Sequence, residues 1–284
     1  MAPGWQAHII GVAVRVGAYA LLVLGGLMLF SQLLAWFGSY VLASAAGVFL
    51  AAVVANALAM RIFERTHLAE IGLVWTPASV RNLLLGLAGG AGAALLVLAG
   101  PLAVGAASFE AIPKGVFDWR TLLFISVALL FGAAGEEMMF RGYGFQALIG
   151  ILGPVATVLA VGVLFGLAHL SNLNISKVGV ANTMLWGVLL GFAFLRSGDL
   201  WLPIGLHFGW NWILPLFGVN LSGFTMDVTG YVMRWRIGSL WSGGNYGPEG
   251  GLLTTGVLVL LSLFLWKAPI IRQVPFLLRP RAEE

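Results

Sequence analysis

Eight long apolar stretches divide this sequence, each close to the roughly 20 residues that a helix needs to cross a bilayer. They cover residues 16–38, 40–60, 83–106, 120–147, 151–171, 177–195, 200–219 and 251–267. Charged residues make up 9% of the chain, whereas a soluble domain has about 25%. The sequence therefore predicts an all-α fold, a polytopic membrane helical bundle of about eight transmembrane helices. No internal repeat or linker is visible, so residues 1–284 are predicted to form a single membrane domain.

Two segments between the stretches have structure of their own in this interpretation. Residues 61–82 mix charged and apolar side chains, a pattern that fits a helix lying in the membrane interface and equally fits an ordinary polar loop. Residues 220–250 contain Trp, Tyr and a Gly-rich turn region, which indicates a structured cap resting on the membrane surface.

Lys and Arg residues predict the orientation, because cytoplasmic loops are enriched in them. If the N-terminus lies in the cytoplasm, ten lie in the inner segments and five in the outer ones. We therefore expect a multi-pass protein of the cytoplasmic membrane with both termini in the cytoplasm. The inner residues are Arg15, Arg61, Arg65, Arg81, Arg141, Arg196, Lys267, Arg272, Arg279 and Arg281, and the outer ones are Lys114, Arg120, Lys177, Arg234 and Arg236.

Three ionisable residues, Glu136, Glu137 and Arg141, interrupt the fourth apolar stretch. A charged residue at the centre of a membrane helix costs about 2.5–3.5 kcal/mol on insertion scales. Such groups are retained where they pair with each other or face a wet cavity. The sequence therefore predicts a functional site in this segment.

The spacing of the three residues suggests different roles for the two acids. Glu137 and Arg141 are four residues apart, so they share a helix face and can form an ion pair. Glu136 lies about 140° around the helix from Arg141, which leaves it free to act as a base. The alternative is that both acids pair with Arg141 or cap a broken helix.

Two further apolar stretches each contain polar residues. His169 ends one of them, and His207 and Asn211 share a face of another. Singly, each of these side chains is explained by a hydrogen bond to a neighbouring helix. Together with Glu136 they supply a base, two imidazoles and an amide donor, which suffice to activate a water and stabilise an oxyanion.

Other hydrolytic sites are excluded by the motifs. The chain has no cysteine, no His-Glu-x-x-His and no Gly-x-Ser-x-Gly. Asp199 reads as a residue of the turn between two helices, so an aspartic dyad is not available. The net charge of +4 is scattered over short loops, and nucleic acid is not an expected partner.

The three motifs resemble those of a known family. Glu136-Glu137-x-x-x-Arg141, Phe165-x-x-x-His169 and His207-x-x-x-Asn211 are similar, in this order, to the motifs of the CPBP intramembrane proteases. This family contains the CAAX prenyl endopeptidases and bacteriocin-processing enzymes and is also called the Abi family. The resemblance covers residues 121–217, which are predicted to form the catalytic core. The segment Gly247–Gly251 also looks like bacterial members.

The resemblance implies an intramembrane endopeptidase that cleaves a membrane protein or peptide substrate in the lipid bilayer. Glu136 would activate water with the help of His169, His207 and Asn211 would bind the oxyanion, and Glu137 and Arg141 would support the site. The resemblance favours a glutamate-dependent mechanism without a cofactor. The residues themselves leave a metalloprotease open, because Glu136, His169 and His207 also suit a zinc site.

Two other questions stay open at the level of sequence. The alternative functions are a non-catalytic membrane scaffold or immunity protein, and a proton-coupled transporter that uses the buried Glu and His side chains. The predicted span limits also place His169 near the outer end of its helix, about 10–15 Å in depth from Glu136 and His207 at the rise of an α-helix.

Overall fold

A computed structural model describes residues 3–36, 40–112, 115 and 117–279. The predicted all-α bundle is confirmed, since each predicted stretch corresponds to a long helix. In chain order the helices are α1 (Pro3–Ala35), α2 (Tyr40–Phe63), α3 (Pro77–Ala103), α4 (Trp119–Arg141), α5 (Tyr143–Ala168), α6 (Lys177–Ser197), α7 (Trp201–Leu216), the short α8 (Ser239–Ser242) and α9 (Leu252–Lys267). Lys114 and Arg281, two of the residues counted for the orientation, lie outside the described residues.

Five segments of the described chain are long and apolar enough to cross a membrane. One of them, Trp119–Ala168, contains both α4 and α5. Helices α7 and α9 have 16 residues each, fewer than the 20 or so that a straight crossing needs. The protein is therefore a multi-pass helical bundle, and the number of eight crossings stays a prediction.

The predicted limits of the fourth and fifth helices are wrong. The helix is interrupted at Gly142, where α4 ends and α5 begins, instead of continuing to residue 147. Asn56 of α2 stabilises this break, because its side chain donates to the Met138 carbonyl (3.0 Å) and accepts from the Tyr143 amide (2.8 Å). Helix α5 is kinked at Gly153, which has a φ of 74°.

A small antiparallel sheet was not predicted. Strand β1 (Ala107–Ala111) follows α3, and strand β2 (Tyr231–Trp235) lies between α7 and α9, with Phe109 opposite Met233. The sheet fastens the segment 220–250 to the end of α3. This segment also contains α8 and two 3-10 turns, so the predicted structured cap is confirmed. Its contact with the membrane surface stays a prediction.

The interface helix predicted within residues 61–82 is wrong. Helix α2 extends to Phe63, and α3 starts at Pro77 behind a capping box of Thr76 and Ser79. Between them lies a loop with one 3-10 turn, Leu68–Ile71, in which Ile71 is buried. The mixed pattern thus arises from the ends of two helices and an anchored loop.

Helix α7 is held against α3 by glycines on both sides. A methyl group on Gly86 or Gly90 of α3 would overlap the backbone of α7, and one on Gly205 or Gly209 of α7 would overlap the backbone of α3. Small residues four apart allow such close approach of membrane helices. This contact fixes the position of His207, which lies between the two glycines of α7.

The residues after α9 pack against the bundle at the end opposite to the sheet. We call residues 268–279 the closing segment. The Gln273 amide donates to the Ser197 carbonyl (2.6 Å), and the Gln273 side chain donates to the Asp199 carboxylate (2.6 Å). Asp199, in the turn between α6 and α7 as predicted, also accepts from Asn82 of α3 (2.7 Å). Three parts of the chain therefore meet at one buried carboxylate.

Candidate active site

Glu136 and Glu137 are adjacent on α4 but lie in different environments. The Glu137 side chain is fully buried, whereas that of Glu136 is 27% exposed and faces a cavity. This difference follows from the helix, because successive residues point about 100° apart. The two acids therefore contact different partners.

Glu137 pairs with Arg141, as the sequence predicted. The Arg141 Nη1 atom lies 3.2 Å from Glu137 Oε1, and neither side chain is exposed. Arg141 also donates to the Gly187 carbonyl of α6 (2.7 Å) and lies over the ring of Phe165, 4.8 Å from its centroid. The pair therefore ties α4 to α5 and α6 behind the cavity.

A second contact of Glu137 could not be predicted from the sequence. Its Oε1 atom lies 2.9 Å from Nδ1 of His207, 70 residues further along the chain. A carboxylate accepts, so Nδ1 carries the proton of this bond. The bond fixes the orientation of the ring and directs its Nε2 atom towards Glu136 Oε2, which lies 3.9 Å away.

His169 is oriented in a similar way by the backbone. It caps the C-terminus of α5, and its Nδ1 atom lies 2.7 Å from the carbonyl oxygen of Phe165. Nδ1 is therefore the donor, and Nε2 is left as an acceptor 3.7 Å from Glu136 Oε2. The predicted difference in depth between His169 and Glu136 is wrong, because these side chains lie 3.7 Å apart. Helix α5 is kinked at Gly153, so a straight helix misjudges the place of His169.

The cavity in front of Glu136 has a volume of about 230 Å³. All four predicted catalytic residues line it, including Asn211, which follows His207 by one helical turn. Helix α2 contributes small residues to one wall. The cap contributes Leu221, Ser222, Phe224, Met226 and Glu249 to another. The cavity is thus shared between the membrane helices and the cap.

Glu249 is a site residue that the sequence analysis did not identify. Its Oε2 atom accepts from the amide (2.6 Å) and the hydroxyl (3.0 Å) of Ser222, and Oε1 accepts from Trp210 Nε1 at 3.4 Å. Burial raises the pKa of this carboxyl, and the bonds from Ser222 oppose the rise. The segment Gly247–Gly251 was noted in the sequence, but its place beside the cavity depends on the folded cap.

The donor types of Glu136, His169 and His207 suit zinc, and Glu136 Oε2 lies 3.7 Å from Nε2 of His169 and 3.9 Å from Nε2 of His207. Zinc needs its ligand atoms about 2.0–2.2 Å from one common point. Within the residues that the structure describes, no group of three or more His, Cys, Asp or Glu side chains is arranged to hold a metal ion.

Comparison with known protein families identifies the helices that form this site. Residues 118–213 match the model of the family described as Type II CAAX prenyl endopeptidase Rce1-like. This segment is therefore similar to the Rce1-like family. The match confirms the resemblance inferred from the motifs and supports a CAAX-type intramembrane endopeptidase in general. No curated protein and no solved structure matches the chain.

The match extends from the residue before α4 into α7. It contains Glu136, His169, His207 and Asn211, whereas the cap and Glu249 lie beyond it. The site of the Rce1-like segment is therefore completed by a part of the chain that the family model does not cover.

Proposed function

We propose that this protein is an intramembrane endopeptidase that hydrolyses a peptide bond of a membrane-associated or prenylated-type substrate, with Glu136 activating the water. One observation carries the proposal. Glu136 Oε2 is a buried atom without a hydrogen-bond partner among the described residues, and it faces the Nε2 atoms of two histidines. A buried carboxylate oxygen left without a donor is costly, and a bound water would supply one.

The first step is attack of water on the substrate carbonyl. Glu136 takes a proton from the water while the oxygen of the water bonds to the carbonyl carbon. His169 assists by accepting a hydrogen bond from the same water at Nε2, the ring atom that its bond to Phe165 leaves free. The proton held by Glu136 then passes to the leaving nitrogen as the peptide bond breaks.

The negative charge that develops on the carbonyl oxygen needs donors. Asn211 supplies an amide, and His207 supplies Nε2–H when its ring carries both protons. The carboxylates of Glu137 and Glu136 beside the ring stabilise that charged form. Donors aimed at a developing oxyanion are worth about 2.7–4 kcal/mol each in hydrolases.

Replacement of Glu136 tests the proposal. We expect Glu136→Gln, which keeps the size of the side chain, to lower cleavage by at least about 10²-fold, the usual contribution of a general base. Mass spectrometry of membrane and secreted peptides from cells that express either form at equal levels would reveal the termini that depend on Glu136. Loss of these termini without loss of folded protein supports catalysis.

Two results would count against this proposal. If wild type and Glu136→Gln give the same termini while both are folded and inserted, a scaffold or transport function takes its place. If purified wild type cleaves its peptide but a chelator abolishes cleavage and zinc restores it, the protein is an endopeptidase that depends on a metal.

A further inference from the structure

The cavity contains a second acid besides the proposed base. Glu249 lies on a 3-10 turn of the cap, and its half-buried side chain lines the same cavity as Glu136. The ionisable residues that line the cavity are these two acids, His169 and His207, and no Lys or Arg is among the lining residues described. Arg141 is close but fully buried behind Glu137.

Among the described residues, Glu249 pairs with no Lys or Arg, and its ionisable neighbour His169 is neutral in the arrangement above because its Nε2 atom is an acceptor. The ion pairs of the described residues do not include it. A carboxylate in a half-buried place without a counter-charge lowers stability, and proteins usually pair such a group or replace it. Bonds to Ser222 and Trp210 satisfy it in part, but an amide oxygen would accept these bonds as well. The charge itself is left to be explained.

One oxygen of Glu249 keeps room for a further donor. Each carboxylate oxygen can accept about two hydrogen bonds. Oε2 has two short ones from Ser222, at 2.6 and 3.0 Å, whereas Oε1 has one long bond, at 3.4 Å, from Trp210. Oε1 is therefore the atom that can accept from a group in the cavity.

The backbone around Glu249 is firmly held. Asn182 of α6 donates to the Glu249 carbonyl at 2.8 Å and to the Gly251 carbonyl at 2.9 Å. The turn that carries Ser222 has left-handed φ values at Ser222 (50°) and Gly223 (86°) and is closed by a bridge between Leu221 and Phe224. A carboxylate fixed in this way can select a ligand group by its position.

We propose that Glu249 is a specificity residue that binds a Lys or Arg side chain of the substrate close to the scissile bond. The proposal rests on the endopeptidase function proposed above. A cation in this place would give the Glu249 carboxylate its missing counter-charge, whereas an acidic side chain would be repelled by both Glu249 and Glu136. Discrimination by such charges is a general device of protease pockets.

The experiment starts from a cleavage site that depends on Glu136. Peptides of that sequence are made with Lys, Gln or Glu at each position next to the scissile bond, and kcat/KM is measured with purified protein. At one position we expect wild type to prefer Lys over Gln by about 10- to 100-fold, the worth of a hydrogen bond to a charged group. Glu should be cleaved more slowly than Gln.

The variants distinguish selection of the substrate by Glu249 from a purely structural role of its side chain. In Glu249→Gln the ratio of Lys to Gln should fall to near one, and in Glu249→Lys the order of Lys and Glu should reverse. Ser222→Ala is the matched control, since it removes a hydrogen bond to Glu249 but keeps the charge, so it should retain the preference for Lys. Thermal unfolding of each variant shows whether it is folded.

Other outcomes overturn the inference. If Glu249→Gln slows all three peptides by the same factor, Glu249 only positions Trp210 and the cap. If wild type cleaves the peptides without a preference for Lys, Glu249 does not select substrate, and the proposed function is unaffected. If no cleavage depends on Glu136, the proposed function fails and this inference fails with it.

Discussion

At the scale of single residues, Glu137 connects the buried ion pair to the histidine of the cavity. Its Oε1 atom is 3.2 Å from Arg141 Nη1 and 2.9 Å from His207 Nδ1. The same carboxylate therefore neutralises a buried guanidinium and orients an imidazole. These two effects can be separated by a double substitution.

We expect Glu137→Gln to lower the free energy of unfolding by about 3–5 kcal/mol, because it leaves Arg141 as an uncompensated buried charge. Adding Arg141→Met removes that charge and should restore much of the stability. Cleavage should stay low in the double variant, since a Gln oxygen can still accept from His207 Nδ1 but carries no charge to stabilise the doubly protonated ring. Unfolding in detergent and peptide cleavage measure the two effects. Recovery of cleavage in the double variant would show that Glu137 acts through stability alone.

The sequence predicts the local contacts of these residues but not the distant ones. The pairing of Glu137 with Arg141 depends only on the period of the helix, and it is confirmed. The contact of Glu137 with His207 depends on how α4 packs against α7, which no local pattern encodes. Glu249 was overlooked for the same reason, because a single Glu in a Gly-rich loop has no periodicity that points to a cavity.

At the scale of elements, the glycines between α3 and α7 determine where His207 and Asn211 lie. Gly90 faces the Leu206 carbonyl, immediately before His207, while Gly92 on the same helix has open space around it. A side chain at Gly90 can be accommodated only if the two helices separate. The two glycines thus form a matched pair for substitution.

We expect Gly90→Ala to destabilise the protein by about 1–3 kcal/mol, the usual result of overpacking, and to reduce cleavage because α7 is displaced. Gly92→Ala should be neutral or stabilising by up to about 1 kcal/mol, since Ala favours the helix. Unfolding and cleavage assays of both variants provide the comparison. Equal behaviour of the two would argue against a tight contact at Gly90.

Element boundaries were predicted less well than the elements. Gly142 reads as one more glycine of an apolar stretch, and glycines are common inside membrane helices. The helix is interrupted there because Asn56, on another helix, bonds to the backbone on both sides of the interruption. Strand β1 was missed because its five residues form a strand only through pairing with β2.

At the scale of the whole molecule, segments predicted to lie on the same side of the membrane contact each other. The residues after α3 pair with the cap, as two outer segments would. On the other side the Leu200 amide donates to the Gly72 carbonyl at 2.9 Å, and the closing segment reaches Asp199 and Asn82. These contacts support the prediction that successive helices cross the membrane in alternating directions. The count of Lys and Arg predicts which side is the cytoplasm.

The absence of cysteine makes the orientation directly testable. Ser239 of the cap and His67 of the loop before α3 are both exposed. With the termini in the cytoplasm, a membrane-impermeant maleimide should label Ser239→Cys in intact cells and His67→Cys only after permeabilisation. The opposite pattern would place the cap in the cytoplasm, and wild type provides the unlabelled control.

The closing segment also has a consequence for local unfolding. Residues 268–279 bond to Asp199 in the turn where α7 begins, so they anchor the helix that carries His207 and Asn211. Local opening of this segment would therefore loosen α7 beside the cavity while the rest of the bundle stays folded.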